Sequence, residues 1–345
     1  LSASAGFAAA DVAVSGDARM GIASYDGNAE FENRVRISFA GSGTTDGGLA
    51  FGGSIRADNA GDGEAGTDGS VFISGAFGKI TMGGVDSGDA AAVGQLSSVG
   101  YESLGSGNSV GYAADGGDIG FGIANAAFNV DNPTNARVLY TYSTGGVSFS
   151  ASVSQIDNTE AVRDLNDALL NEYDVNSYGV GVAYTTGAVT VAVGYGTAGV
   201  TTDDGDDTNL TDAEVSLTDV SASVKYVAGD TTIKAIYQDK QANSDAAGVN
   251  TDIASFVSMG ASVDHKIGAL TVTAYALTTD IESVPVFGAG NSVQLNRLGL
   301  GAAYDLGGGA SFKAGWAQLE AVAGNGAASV SESEQAFDAG VNFSF

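Results

Sequence analysis

The chain has 345 residues, with 41 Asp+Glu against 13 Lys+Arg, one His, no Cys, 52 Gly and only 2 Pro. A formal charge of −28 excludes a nucleic-acid partner, because phosphate binding needs a basic face. The lack of Cys excludes disulfide scaffolds, zinc–thiolate sites and thiol nucleophiles, and 44% apolar residues with 13 Tyr and 15 Phe exclude a disordered chain.

Residues 1–10, LSASAGFAAA, end in three alanines before Asp11 and read as the remnant of a secretory signal peptide, with an A-x-A type cleavage site. No run of about 18 uncharged apolar residues follows, so no transmembrane helix is expected. Period-two alternation starts at once. In 12–22, Val12, Val14, Ala18, Met20 and Ile22 share one face, and Ser15, Asp17, Arg19 and Gly21 the other. In 31–39, Phe31, Val35, Ile37 and Phe39 oppose Glu32, Arg34, Arg36 and Ser38; in 49–58, Leu49, Phe51 and Ile55 oppose Ser54, Arg56 and Asp58. Val147, Phe149, Ala151 and Val153 alternate with serines, and Phe337, Ala339, Val341, Phe343 and Phe345 carry the pattern to the last residue.

Short Gly-containing links such as 46–48, 144–146, 186–187 and 307–309 punctuate the lanes. They alternate with longer, mostly acidic stretches at 59–68, 86–134, 156–174, 198–215, 241–251, 281–292 and 321–333. Sixteen strands result, over 12–25, 31–41, 48–58, 69–77, 78–85, 136–144, 146–155, 175–186, 188–197, 216–227, 231–240, 252–265, 269–280, 293–305, 309–320 and 335–345. Tight turns at one rim and long loops at the other belong to an all-β, 16-stranded antiparallel transmembrane β-barrel around an aqueous channel. Helical spacing occurs in 160–172, where Val162, Leu165, Leu169 and Leu170 predict a small helix in a loop. No shift of composition divides the chain, so 11–345 reads as one barrel domain. Tyr25, Tyr140, Tyr184, Tyr195, Tyr226, Tyr304, Trp316 and Phe343 are candidates for the interfacial aromatic girdles.

The cations sort by lane. Arg19, Arg34, Arg36, Arg56, Lys79, Arg137, Lys225, Lys234, Arg297 and Lys313 fall on the small or polar lane, while Arg163, Lys240 and Lys266 fall in loops or at strand ends. An Arg or Lys facing lipid at mid-bilayer costs about 2–4 kcal/mol, so the polar lane is expected to face water. Arg19, Arg34, Arg36, Arg56 and Arg137 are therefore the candidate basic wall of a constriction. The long connection 86–134 carries Asp86, Asp89, Glu102, Asp115, Asp118 and Asp131 and exceeds ordinary loop length, which marks it as functional. Folded into the lumen as the constriction loop, it sets acids against the arginines, with Glu102, Asp115 and Asp118 the best candidates. The resulting transverse field favours small polar solutes. The plainer alternative is that each arginine is merely a solvated lumen residue.

SGDARMG at 15–21, SGTTDGGLAFG at 42–52, SVFISGAFGKITMG at 70–83, RVLYTYS at 137–143, YDLGGGAS at 304–311 and the terminal Phe345 resemble the Rhodobacter-type general porins of alphaproteobacteria. The similarity runs from the first strand to the C-terminus, and the strands match better than loops 156–174, 198–215 and 281–292. It implies a homotrimer of sixteen-stranded barrels in the Gram-negative outer membrane, each with its third loop folded inward. It also implies passive, weakly selective diffusion of ions and small hydrophilic solutes, with lipid and lipopolysaccharide as surroundings. The basic wall carries over onto Arg19, Arg34, Arg36 and Arg56; the loop acids carry over less well, because 86–131 is rich in Gly and Ala. Porins of this kind can bind calcium in acidic loops, which points to Asp203, Asp204, Asp206 and Asp207; no other cofactor is implied.

Other motifs carry less. Gly194-Tyr195-Gly196-Thr197-Ala198-Gly199 fits G-x-G-x-x-G, but an acidic loop follows where a helix must begin; its glycines read as small lumen residues and a turn. The run 203–214 has Glu at position twelve of a calcium-loop frame but lacks Gly at position six, so it is no EF-hand. His265, the single histidine, stands at a strand end, where neither a metal site nor a catalytic triad can be built on it alone. The competing functional class is a soluble or surface calcium-dependent β-rich adhesin, which the acidic loops fit but which lacks G-G-x-G-x-D repeats. No catalytic constellation is visible. The large acidic field at the mouth outranges the basic patch at low salt, so mild cation selectivity is expected.

Overall fold

A computed structural model describes residues 11–25, 27–58, 69–101, 104, 107–115, 137–158, 162–163, 169–170, 172–203, 213–246, 249–283, 292–324 and 329–345. The strands are β1 (Asp11–Tyr25), β2 (Asn28–Thr44), β3 (Ala50–Asp58), β4 (Ser70–Gly75), β5 (Gly78–Gly83), β6 (Arg137–Thr144) and β7 (Val147–Asn158). After a small hairpin, β8 (Val162–Arg163) and β9 (Leu169–Leu170), come β10 (Glu172–Thr186), β11 (Val189–Asp203), β12 (Ala213–Ala228) and β13 (Thr231–Ala246). The last five are β14 (Val249–Ile267), β15 (Leu270–Ser283), β16 (Ser292–Gly307), β17 (Ala310–Gly324) and β18 (Ser329–Ser344). Every strand except β8 and β9 joins one closed antiparallel barrel of sixteen.

Closure occurs between the ends of the chain. β1 pairs with β18 from Asp17↔Ser344 to Tyr25↔Ala336. Beyond the strand, Phe345 N–H donates to the Gly16 carbonyl (2.9 Å) and Gly16 N–H to the Phe345 carbonyl (2.6 Å). Closing the sheet removes both edges, which a membrane requires because lipid offers no hydrogen bonds to a free edge. No helix among the described residues is long and apolar enough to cross a membrane; the strands do so.

The barrel is inverted relative to a water-soluble core. Val12, Phe31, Phe149, Val153 and Tyr178 are exposed, Phe31 by 90%, while Ser150, Ser152, Ser177, Ser221 and Ser223 are buried. Directly paired residues share a face in an antiparallel ladder, so the alternation read from each strand becomes a continuous apolar exterior and a polar interior. Tyr142, Tyr184, Tyr226, Tyr304, Phe312 and Phe345 stand exposed near the tight-turn rim, where amphipathic rings suit the membrane interface.

Two expectations are corrected. The described residues of 160–172 are not helical: Val162 pairs with Leu170 and Arg163 with Leu169 in antiparallel register. Its helical spacing of leucines is overridden by strands that continue the barrel ladder on both sides, from Tyr173↔Asn158 onward. Lys240 is not at a strand end, because β13 runs to Ala246. It sits inside the lumen, 3% exposed, and donates to the Gly111 carbonyl (3.2 Å).

Candidate functional site

The lumen has an open wall and a covered wall. On the open wall, antiparallel register sets Arg19 opposite Arg34 and Asp17 opposite Arg36, while Arg36 also lies opposite Asp58 and Ser38 opposite Arg56. Like charges directly opposite repel, and neighbouring acids answer this. Arg34 Nη2 reaches diagonally to Asp17 (3.1 Å), and Arg36 Nε lies 3.0 Å from Asp58. Arg56 grips Asp58 with two donors, at 2.7 and 3.0 Å. The Arg19 guanidinium lies over the Tyr101 ring, 5.5 Å from its centroid, and the Tyr101 hydroxyl donates to Glu32 (3.5 Å). Four arginines thus share a ridge with Asp17, Asp58 and Glu32, which shortens the reach of their combined field.

The covered wall holds the described residues of the connection between β5 and β6, 84–101, 104 and 107–115. It enters along α1 (Gly88–Val93), whose end at Gly94 takes φ +62°, a left-handed conformation that suits glycine. From there it runs around the inner wall as far as β1 and returns. On the way out, the Val93 carbonyl accepts from Ser223 (3.0 Å) and Lys234 (2.6 Å), and Ser97 donates to Asp264 (2.6 Å). At the far end Val99 and Gly100 abut Gly301, Gly100 abuts Gly315 and the Asp338 carboxylate, and Tyr101 reaches Gly21. On the return, Arg297 donates to the Ser109 carbonyl (3.0 Å), and Ala113 N–H donates to Asp219 (2.7 Å).

A clasp closes the neck of this loop. Asp115 accepts the Ser87 N–H (2.6 Å) and pairs with Arg137 (2.9 Å). Arg137 also donates to the carbonyls of Val85 (2.7 Å) and Ala114 (2.8 Å). Entry and exit are thereby tied to one guanidinium. Burial raises the Asp115 carboxyl above the ordinary range, an effect that Arg137 and the Ser87 N–H oppose.

The seat of α1 is a window of small residues. Gly179 pairs with Gly196 and Gly181 with Gly194 across β10 and β11. A Cβ on Gly181 would meet the Gly88 carbonyl at 2.6 Å, and one on Gly194 the Asp89 Cβ at 2.9 Å. The Asp89 carboxylate lies over Gly179 and Gly196, fully buried; burial pushes it above the usual carboxylate range, opposed only in part by Ser87 and nearby N–H groups. Burial likewise raises the Tyr112 phenol, whose hydroxyl donates to the Gly94 carbonyl (2.8 Å). Apolar packing supplies most of the hold. Val93, Leu96, Val110 and Tyr112 join Ile236 and Leu277 in one cluster, and Val99 and Leu104 join Tyr275 and Ala317 in another. A fully buried Val or Leu contributes about 1.5–3 kcal/mol, against about 1 kcal/mol for a typical hydrogen bond.

The structure therefore gathers Arg19, Arg34, Arg36 and Arg56 on adjacent strands and turns Arg137 toward the loop. Asp86 is exposed, Asp89 faces the wall, and Asp115 is in the clasp. Glu102, Asp118 and Asp131 lie outside the described residues, as do 1–10, Asp204, Asp206 and Asp207; Asp203 ends β11. Among the described residues no group of three potential metal ligands gathers. His265 Nδ1 lies 2.8 Å from the Thr231 hydroxyl at the turn end of its strand. The glycine window gave no signal of its own in the sequence, whereas the inward Ile236, Phe256, Leu277 and Ile281 did, as apolar residues on a polar lane.

Residues 1–324 match the Gram-negative porin family. The chain is 36% identical over 345 residues to a porin of Rhodobacter capsulatus, covering 97% of this chain and all of that protein. A solved porin structure is 32% identical with a TM-score of 0.64, covering 97% of this chain and 100% of the other. An anion-selective porin from Comamonas acidovorans shares the fold at 17% identity, with a TM-score of 0.66 over 98% of this chain and 100% of the other. The trimer form of OmpT from Vibrio cholerae does so at 14%, with a TM-score of 0.67 and the same coverage.

Proposed function

We propose, for a chain that belongs to the Gram-negative porin family and so lies in the outer membrane, a general diffusion channel for ions and small hydrophilic solutes. Its narrowest passage is the gap between the inward loop and the arginine ridge of β1–β3. The observation that carries this reading is the one-sided lumen: the described loop packs on β7 and β10–β18, and on the ridge strands Tyr101 meets Arg19, Glu32 and Gly21. In this reading Arg19, Arg34, Arg36 and Arg56 form the basic side, Glu102 and Asp118 supply facing acids, and Asp115 with Arg137 fixes the loop's neck. The decisive experiment is Arg34→Ala with Arg36→Ala in planar bilayers. Altered conductance and a shifted ion preference are expected; unchanged values remove these arginines from the passage.

The channel is mildly cation selective in this proposal. The chain's charge of −28 sets the long-range field, while Asp17 and Asp58 pair with three of the four ridge arginines. A reversal potential of anionic sign in a low-salt KCl gradient refutes this. The Comamonas neighbour, named anion selective, shares too little sequence to decide the sign. Assembly as a homotrimer is part of the proposal, supported by the family and by the trimeric OmpT form; a monomer mass for the detergent-solubilised native protein refutes it. Calcium enters only at the acidic run Asp203, Asp204, Asp206 and Asp207, as a bridge to lipopolysaccharide through hard oxygen ligands. Thermal stability in lipopolysaccharide that is indifferent to a calcium chelator removes it.

A further inference from the structure

We propose that the covered half of the lumen contains a second site, which binds a monoanionic amphiphile: a carboxylate carried on an aromatic or branched apolar body. A cavity of 530 Å³ lies between the loop's return leg and the wall of β13–β18, within the range that holds small organic ligands. Leu104 and Val110 line it from the loop, and Phe256, Ile281 and Leu295 from the wall. An aqueous pore for hydrophilic solutes has no use for such a lining, and part of it is left over after the loop has been covered.

The polar groups at this cavity determine which apolar ligand fits. Arg297 lines it, and its Nη donors go to neutral oxygens, the Ser109 carbonyl and the Thr279 hydroxyl. No carboxylate among the described residues pairs with it, and its Nε has no acceptor. Tyr275, only 5% exposed, also lines the cavity, and its enclosed hydroxyl has no hydrogen-bond partner. The half-buried Arg297 guanidinium keeps a second N–H on each Nη group beyond the bonds to Ser109 and Thr279, and beside the unpartnered Tyr275 phenol it recognises an oxyanion; charge-assisted bonds of this kind are the strong ones. Glu334 on the same lining disfavours polyanions. The site lies apart from the arginine ridge and goes beyond the diffusion function.

The test is equilibrium dialysis of 2-naphthoate against the full-length protein in neutral liposomes, with protein-free liposomes subtracted and 2-naphthylmethanol as the uncharged comparison. Saturable naphthoate binding, one per chain, is expected, with the alcohol binding at least about tenfold more weakly, the factor expected from losing one charge-assisted contact. Arg297→Gln lowers naphthoate affinity by a similar factor and leaves the alcohol unaffected; Arg297→Lys restores part of it, and Tyr275→Phe weakens it a few-fold. Should Arg297→Gln fail to assemble, Tyr275→Phe and the acid-to-alcohol ratio on the unaltered protein decide. Absence of saturable binding overturns the proposal, as does equal binding of acid and alcohol. So does loss of binding in Arg34→Ala/Arg36→Ala with retention in Arg297→Gln, which places the anion on the ridge instead.

Discussion

The two halves of the lumen solve the problem of burying charge in opposite ways. Along β1–β3 the arginines stay partly exposed, and carboxylates on the same or neighbouring ladder rows pair with Arg34, Arg36 and Arg56, an arrangement that strand register sets. Along β10–β18 the wall is dry, and its polar groups spend their hydrogen bonds on loop carbonyls and N–H groups. Charge near water is adjustable and contributes little to the fold; charge under a loop is structural. The same residue type therefore does different work on the two sides, as Arg56 and Arg137 show.

The contrast breaks most visibly at the glycine window. Gly181→Val places side-chain atoms against the Gly88 carbonyl and Ala92, a clash that overpacking data put at about 1–3 kcal/mol and that lifting α1 relieves. Liposome swelling with neutral sugars is expected to accelerate several-fold, with larger sugars gaining most; an unchanged rate would mean that the covered wall is not tightly seated. Next come the paired arginine substitutions. Arg137→Ala is expected to cost about 2–3 kcal/mol, because it orphans Asp115 and two carbonyls. Arg56→Ala, on a partly exposed pair, is expected to cost under about 1 kcal/mol. Denaturant unfolding in detergent measures both, and equal losses would erase the distinction between the walls.

The smallest effect concerns pH. Asp89 has a raised pKa in the folded protein, so the folded state binds the proton more tightly than the unfolded one. Its contribution to stability is therefore most favourable below the ordinary Asp range, and it declines as pH rises until the raised value is passed. Asp89→Asn removes this slope. The stability difference between variant and parent should widen in the variant's favour from pH 4 to pH 7; a constant difference refutes the buried-carboxylate assignment.

The lanes of the open wall were legible because lipid on one side and water on the other impose a strict period of two, visible within each strand. Arg34 and Arg36 needed nothing more. Asp17 and Asp58 were placed on the right lane, yet their neutralising role emerges only when register sets them beside the arginines. The covered wall resisted reading because its logic spans distant segments. Gly179 and Gly196 look like ordinary small residues until β10 and β11 pair, and Asp115 cannot be matched to Arg137 and Ser87 by any spacing rule. Leu277 and Ile281, on a lane that should be polar, were the missed announcement that something covers them. The leucines of 160–172 misled in the opposite sense, since local spacing gave way to the ladder on either side.

The far turn of the inward loop lies across the line where the barrel closes. Gly100 rests against Asp338 on β18, and Tyr101 against Gly21 on β1, so one short stretch from the first third of the chain touches both its last strand and its first. Pairing Asp17 with Ser344 joins the most distant parts of the polypeptide, the kind of contact whose entropic cost makes folding slow. The inward loop is thus also a bridge over the barrel's own seam, and a barrel without it would meet its ends through ladder bonds alone.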